Sequence, residues 1–241
     1  MSTWLKEYPQ AQSIFGELSK ADFDQISVVY MEPGQALMEQ SSFDDSSLYY
    51  ILSGICEGRR LHSQSIHSGI YYVPIKIEKG NFIGFVEAIK KEPTKRILGI
   101  YAKTKVTALK IPRALLYKWA GQNTDILFNI MNRVLDMSWN QREISTTCSS
   151  HNTTVKLAFH LVYLFKIYWD SCYPKDYLGS VKIMETRQEL AIVVGCSVRT
   201  IDRTIKQLRD MDLLSLQTGK VHITKKQFFA LEKFLDNTSQ K

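Results

Sequence analysis

Between residues 24 and 111 the apolar positions come in short runs, each closed by a turn signal. One run ends at Met31-Glu32-Pro33-Gly34, and another, Leu48-Tyr49-Tyr50-Ile51-Leu52, ends at Ser53-Gly54. Ile70 to Ile77 stops at Glu78-Lys79-Gly80-Asn81, and the pair Ile97–Tyr101 and Val106–Ile111 completes the set. β-branched and aromatic clusters divided by Gly and Pro predict the strands of a sandwich or barrel. One helical segment, around Val86–Lys91, follows Gly84 and interrupts them.

The period changes after Pro112. From Arg113 to about Thr147 there is no Pro and one Gly, Gly121, which predicts a short helix and then a long one. Ile126, Ile130, Val134 and Met137 fall on one stripe of the long helix, with Leu127, Met131 and Leu135 on a second stripe beside it. Two adjacent stripes serve a core and a partner helix together; a helix packed wholly inside its own domain is the other reading. Thr146-Thr147-Cys148-Ser149-Ser150 is small and polar, a linker that places a domain boundary near 148. A further helix, roughly Asn152 to Trp169, carries Leu157, Leu161, Leu164 and Phe165.

Thr186-Arg187-Gln188-Glu189 has the form of a capping box, in which the Thr hydroxyl caps the N3 amide and the Glu reaches back. The helix it opens turns Leu190, Ala191 and Val194 inward and ends at Gly195. Ser197 then caps a second helix to about Asp212. Helix, Gly-containing turn and helix make a helix-turn-helix. The second helix has two faces: Val198, Ile201, Ile205 and Leu208 towards a core, Arg199, Arg203 and Lys206 away from it. Like charges at i,i+4 cost an isolated helix ~0.2–0.5 kcal/mol. Phosphates or guanine edges facing them would offset that cost; a solvated basic face is the plainer alternative. Asp202 is placed to pair with either Arg199 or Lys206. Beyond, Leu214-Ser215-Leu216, Thr218-Gly219 and Val221-His222-Ile223 predict a small hairpin, with Gly219-Lys220 at its tip near a DNA backbone.

Length and charge sharpen this picture. A chain of 241 residues is read as two domains. Its net charge of +7 is uneven: residues 148–241 hold 14 Lys and Arg against 9 Asp and Glu, residues 1–147 hold 17 against 15. A polyanion partner fits the C-terminal part. Cys56, Cys148, Cys172 and Cys196 are far apart and form no C-x-x-C, so they are expected to be buried reduced thiols, not zinc or iron–sulfur ligands. The five histidines form no H-x-H or H-E-x-x-H cluster. No nucleophile–base pair or phosphate loop is visible, so no catalytic residue, metal or cofactor is expected. The polar N-terminus and the lack of ~18 consecutive apolar residues predict a cytoplasmic protein without a membrane span.

The run from Thr186-Arg187-Gln188-Glu189-Leu190 through Val194-Gly195-Cys196-Ser197 to Thr200 and Arg203 closely resembles that of the Crp–Fnr family, the cyclic-AMP receptor protein and its relatives. Weaker likeness covers nearly the whole chain: Pro33-Gly34 and Leu48–Gly54 are similar to the family's β-roll signature, and the long helix lies where its dimerisation helix does. The resemblance implies an α+β chain with an N-terminal antiparallel β-roll (jelly-roll-like) over 1–112, a hinge and long dimerisation helix over 113–147, and a C-terminal winged helix-turn-helix over 148–241. It implies a homodimer on near-palindromic double-stranded DNA, RNA polymerase as a partner, and activation of transcription. The DNA-contacting residues it implies are Arg187, Gln188, Ser197, Val198, Arg199, Thr200, Arg203, Lys206 and Lys220.

Departures from the pattern matter as much. The family's phosphate-binding cassette corresponds to Gly84, Phe85, Glu87, Arg96 and Ile97, with one extra residue between its halves. The Gly and Arg are kept, the ribose-binding Glu has become Phe85, and the phosphate-contacting Ser has become Ile97; Glu87 substitutes if the turn is shifted. Arg96 holds another anion or pairs with a surface acid such as Glu92. Cyclic AMP is therefore not the expected effector, and another small molecule or none takes its place. At the recognition helix the usual Arg-Glu pair is Val198-Arg199, so the usual half-site is not expected. A haem sensor using His62, His67 or Cys56 is a minor possibility. The alternative to a regulator is a ligand-binding module for which DNA contact is secondary.

Overall fold

The computed structural model describes residues 3–40, 47–61, 70–90, 95–122, 124–150 and 152–239. The chain divides into two compact units, Met1–Asn140 and Gln141–Lys241. The first opens with helices α1 (Thr3–Glu7), α2 (Pro9–Phe15) and α3 (Lys20–Phe23). Strands β1 (Ser27–Met31), β2 (Ala36–Met38), β3 (Leu48–Ser53), β4 (Ile55–Leu61), β5 (Ile70–Glu78) and β6 (Phe82–Ile83) follow. Helix α4 (Phe85–Ile89) separates them from β7 (Gly99–Ala102) and β8 (Val106–Ile111); α5 (Arg113–Gln122) and α6 (Thr124–Ser150) come last. The strands make two four-stranded antiparallel sheets, ordered β1-β8-β3-β6 and β2-β7-β4-β5, which is the expected β-roll.

The uninterrupted apolar run of β3 has a simple cause. Successive strand residues point to opposite faces, and here both faces are covered. Leu48, Tyr50 and Leu52 join a core with Trp4, Phe15, Phe82, Trp119, Ile126 and Ile130. Tyr49 and Ile51 join the inter-sheet core with Met38, Cys56, Ile77, Ile100 and Ala108. Phe15 is the centre of the first, its ring 5.2 Å from Tyr50, 5.9 Å from Trp4 and 6.2 Å from Trp119.

The second unit is built on α7 (Thr153–Cys172), whose first amides are capped by the Asn152 side chain, accepting from Val155 N at 3.0 Å. Around it lie β9 (Val181–Lys182), α8 (Arg187–Val194), α9 (Val198–Asp210), β10 (Ser215–Gln217), β11 (Lys220–Ile223) and α10 (Lys225–Ser239). The expected hairpin is β10–β11, and β9 adds a third antiparallel strand. Among the described residues no helix is long and apolar enough to cross a membrane.

Several expectations need correction. The strand placed at Ile97–Tyr101 begins only at Gly99, which pairs with Arg59, while Arg96 is turned inward. The expected linker Thr146–Ser150 is helical, part of α6; small polar residues without Gly or Pro do not stop a helix. Cys172 is exposed, not buried, while Cys56 lies in the inter-sheet core. Burial, with the neighbouring Glu57 carboxylate, pushes the Cys56 thiol up to about 12, which keeps it protonated and a poor metal ligand. His62 and His67 lie outside the described residues.

One polar feature sits inside the β2-β7-β4-β5 sheet. Glu57 of β4 is 1% exposed and is held by Lys76 of β5 at 2.7 Å, Arg59 at 2.9 Å and Lys103 at 3.2 Å. Arg59 also lies over the Tyr101 ring, 4.7 Å from its centroid. Burial alone would push the carboxyl up, but the cations, Lys76 foremost, outweigh it and hold Glu57 below the ordinary carboxylate value. Removing one partner from such a group leaves buried charge uncompensated. Glu57→Ala is therefore expected to lower the unfolding free energy by about 3 kcal/mol at neutral pH, measured by urea denaturation. Because the folded value is depressed, this contribution is complete above the unfolded value and is lost as pH falls through the folded one. The gap between wild type and variant should accordingly close in acid.

Candidate nucleic-acid interface

Helix α8 starts with the complete capping box: Thr186 Oγ1 accepts from Glu189 N at 3.1 Å, and Glu189 Oε2 accepts from Thr186 N at 2.6 Å. It stops at Gly195, whose left-handed backbone (φ 72°) a side chain would strain. The amides of Gly195 and Cys196 both donate to Ala191 O, at 2.9 and 3.0 Å, closing the helix end. Ser197 Oγ then accepts from Thr200 N at 3.1 Å and starts α9. Turn chemistry alone thus fixes where the second helix begins and how it is aimed.

On α9, Ile201, Thr204, Ile205 and Leu208 are buried. Val198, expected on this core face, is only half-buried, and Thr204 replaces it; its hydroxyl donates to Thr200 O at 2.9 Å, satisfying a polar group inside. Arg199, Arg203 and Lys206 are exposed on the other side, and no ion pair to them is found among the described residues. Ser197 and Thr200 hydroxyls are 2.9 Å apart in the cap. Gln188 is exposed on α8.

Two site residues are engaged differently from expectation. Asp202 pairs with neither Arg199 nor Lys206: its Oδ1 is 3.1 Å from Arg187 Nε. Arg187 Nη2 donates in addition to Gly219 O at 3.1 Å. Lys220 does not extend from the hairpin tip, because its ammonium donates to Met184 O at 2.9 Å and Glu185 O at 3.2 Å. The tip itself is Thr218-Gly219, both left-handed (φ 46° and 76°), as a two-residue hairpin turn requires.

The residues expected on the effector side lie in the first unit. Gly84 (φ 85°) precedes α4 where an added Cβ would stand 2.8 Å from Ser47 O, so the position admits no side chain. Arg96 is 5% exposed with its Nε 3.9 Å from Glu87 Oε1. Phe85 is half-buried against the core, and Ile97 is 69% exposed. Gly84, Glu87 and Arg96 are thus brought together, whereas Ile97 is turned to solvent. Glu92, the other acid considered for Arg96, lies outside the described residues.

A third surface is only partly visible in the sequence pattern. Ile126 and Ile130 of α6 are buried in the core, with Leu127 and Val134 packed against it. Phe128, Met131, Leu135 and Trp139 remain exposed. Their spacing of three, four and four residues is the signal that would have added Phe128 and Trp139 to the outer stripe.

No protein-family model matches the chain. It is 24% identical over 187 residues to the cAMP-activated global transcriptional regulator CRP of Salmonella typhimurium, covering 78% of this chain and 85% of that protein. The same values hold for CRP of Klebsiella aerogenes. FixK2 of Bradyrhizobium japonicum has the same fold, with a TM-score of 0.66 at 12% identity over 86% of this chain and 96% of its own. A CRP/FNR-family transcriptional regulator of Thermus thermophilus gives 0.67 at 16% identity over 87% and 98%. With the helix-turn-helix motif intact in sequence and in geometry, the chain is similar in sequence and in fold to transcription regulators of the Crp–Fnr family.

Proposed function

We propose that this chain is a transcription regulator of the Crp–Fnr type, binding near-palindromic double-stranded DNA as a homodimer in the cytoplasm. It activates transcription through RNA polymerase, and its effector is other than cyclic AMP, or absent. The observation that carries the reading is the exposed cationic face of α9, set opposite a buried apolar one. Arg199 and Arg203 have the planar donor fork that matches a guanine edge, and Lys206 is a point charge suited to phosphate. Val198 offers an apolar contact for a thymine methyl group, while Gln188, Ser197 and Thr200 supply polar contacts at the groove edge. In this division residues 148–241 carry DNA binding and 1–112 sense. The test is selection from random duplexes, followed by affinity at several salt concentrations. Arg203→Ala should lose ~1–3 kcal/mol and relax one base preference per half-site. Lys206→Ala should weaken all sequences alike and flatten the log–log salt slope by about 0.9. Equal affinity for random and selected duplexes at physiological salt would sink the proposal.

The exposed stripe Phe128, Met131, Leu135 and Trp139 supports the dimer, because four large apolar side chains along one helix line favour a partner helix over water. Two recognition helices would then address sites about 34 Å apart. Leu135→Asp leaves the protomer's own core untouched. Sedimentation should show a folded monomer, and binding should fall to that of a single half-site; a dimer that persists in the variant removes this role from α6.

Support for an effector other than cyclic AMP comes from the pair Arg96–Glu87. A phosphate approaching the guanidinium would meet a carboxylate already beside it, and Ile97 has no hydroxyl to offer. Calorimetry with cyclic AMP is expected to show no binding at micromolar concentration. Micromolar binding that raises operator affinity, abolished in Arg96→Ala, would overturn this reading of the pocket.

A further inference from the structure

The recognition helix carries one acid among its exposed cations, and the acid has a partner on another element. At 100° per residue, Asp202 lies about 60° round the helix from Arg199, and Arg203 lies about 40° round in the other sense. Asp202 therefore marks the flank of the basic stripe. There its carboxylate meets Arg187 Nε at 3.1 Å, and the same guanidinium reaches the hairpin tip through Nη2 to Gly219 O, also at 3.1 Å. One side chain at the first position of α8 thus joins the exposed face of α9 to the turn between β10 and β11. Lys220 anchors the stem of that hairpin to Met184 O and Glu185 O, and Arg187 holds its tip.

We propose that Arg187 and Asp202 form a latch that fixes the wing to the recognition helix, so that Arg187 is a positioning residue and not a phosphate contact. The inference rests on the reading that α9 faces DNA. Its chemistry lies in the geometry of the guanidinium, whose donors leave a rigid plane in set directions and so define the angle between the two groups they hold. A lysine retains the charge but offers no such fork. The electrostatics also need explaining, since a carboxylate on a surface that receives phosphates repels them. Asp202 is accounted for if its task is to hold the guanidinium.

The two roles give opposite signs. By charge alone, Asp202→Ala should tighten binding to any duplex, and Arg187→Lys should be nearly neutral for a phosphate contact. A latch predicts that each variant binds the selected site about tenfold more weakly, with an unchanged salt slope. The double variant should also lose about tenfold, not a hundredfold, because both changes break one connection. Hydroxyl-radical footprints should lose the protection due to the wing. In the free protein, amide hydrogen exchange at residues 217–221 should be faster in both variants, while thermal unfolding confirms that the domain remains folded. An Arg187→Lys protein that matches wild type in exchange and binding, a tighter Asp202→Ala protein, or additive losses would each overturn the latch. Failure of the wild type to select a sequence would count against the DNA-binding reading alone, since the exchange experiment needs no DNA.

Discussion

Residues 48–52 have no polar face to turn to water, so the sheet they belong to must be covered on both sides. The second sheet covers one side. The N-terminal helices, α5 and the first turns of α6 cover the other, through Trp4, Phe15, Trp119, Ile126 and Ile130. This requirement fixes the rotation of α6 about its axis. Once Ile126 and Ile130 are buried, helical geometry leaves Phe128, Met131, Leu135 and Trp139 outside. The surface available for a second copy is thus a by-product of how one strand is buried.

The second unit is organised by a different constraint, the closing of helix ends. Three caps in succession, at Thr186, Gly195 and Ser197, position α9 before any side chain on it acts. Each contributes on the order of 1 kcal/mol or less. Together they aim a helix whose exposed side holds Arg199, Arg203 and Lys206 at mutually unfavourable spacing. The buried side, Ile201, Ile205 and Leu208, supplies the stability that the charged side does not.

The strands with clear turn signals, β1, β3, β5 and β8, were legible in the sequence, as were the capping box, the hairpin and the long helix. What was not legible has physical reasons. β2 and β6 are too short, at three and two residues, for alternation to show. β4 carries Glu57, Arg59 and Arg60 where a strand is expected to be apolar, because its buried carboxylate is stabilised by Arg59 on the same strand and by Lys76 and Lys103 from elsewhere in the sheet unit. Helix α10 is announced by Thr224 and Gln227, whose reciprocal bonds form a second capping box, but the charges of Lys225 and Lys226 hide its apolar face. At the site, residue types were readable and partners were not. Asp202 has acceptable partners on its own helix, and only folding brings Arg187 nearer. Lys220 looks free in the sequence for the same reason.

The hairpin between β10 and β11 also acts as a ruler. Its paired segment is three residues, Ser215 to Gln217 against Lys220 to His222, joined by a turn of two. A strand advances about 3.3 Å per residue, so the paired segment measures only about 10 Å. That is less than the roughly 12 Å width of a major groove. In the proposed complex a wing this short would reach the sugar–phosphate rim without following the duplex into the next turn. Under that proposal the length of DNA covered would be set by the distance between the two recognition helices, with the hairpin adding only a margin at each end.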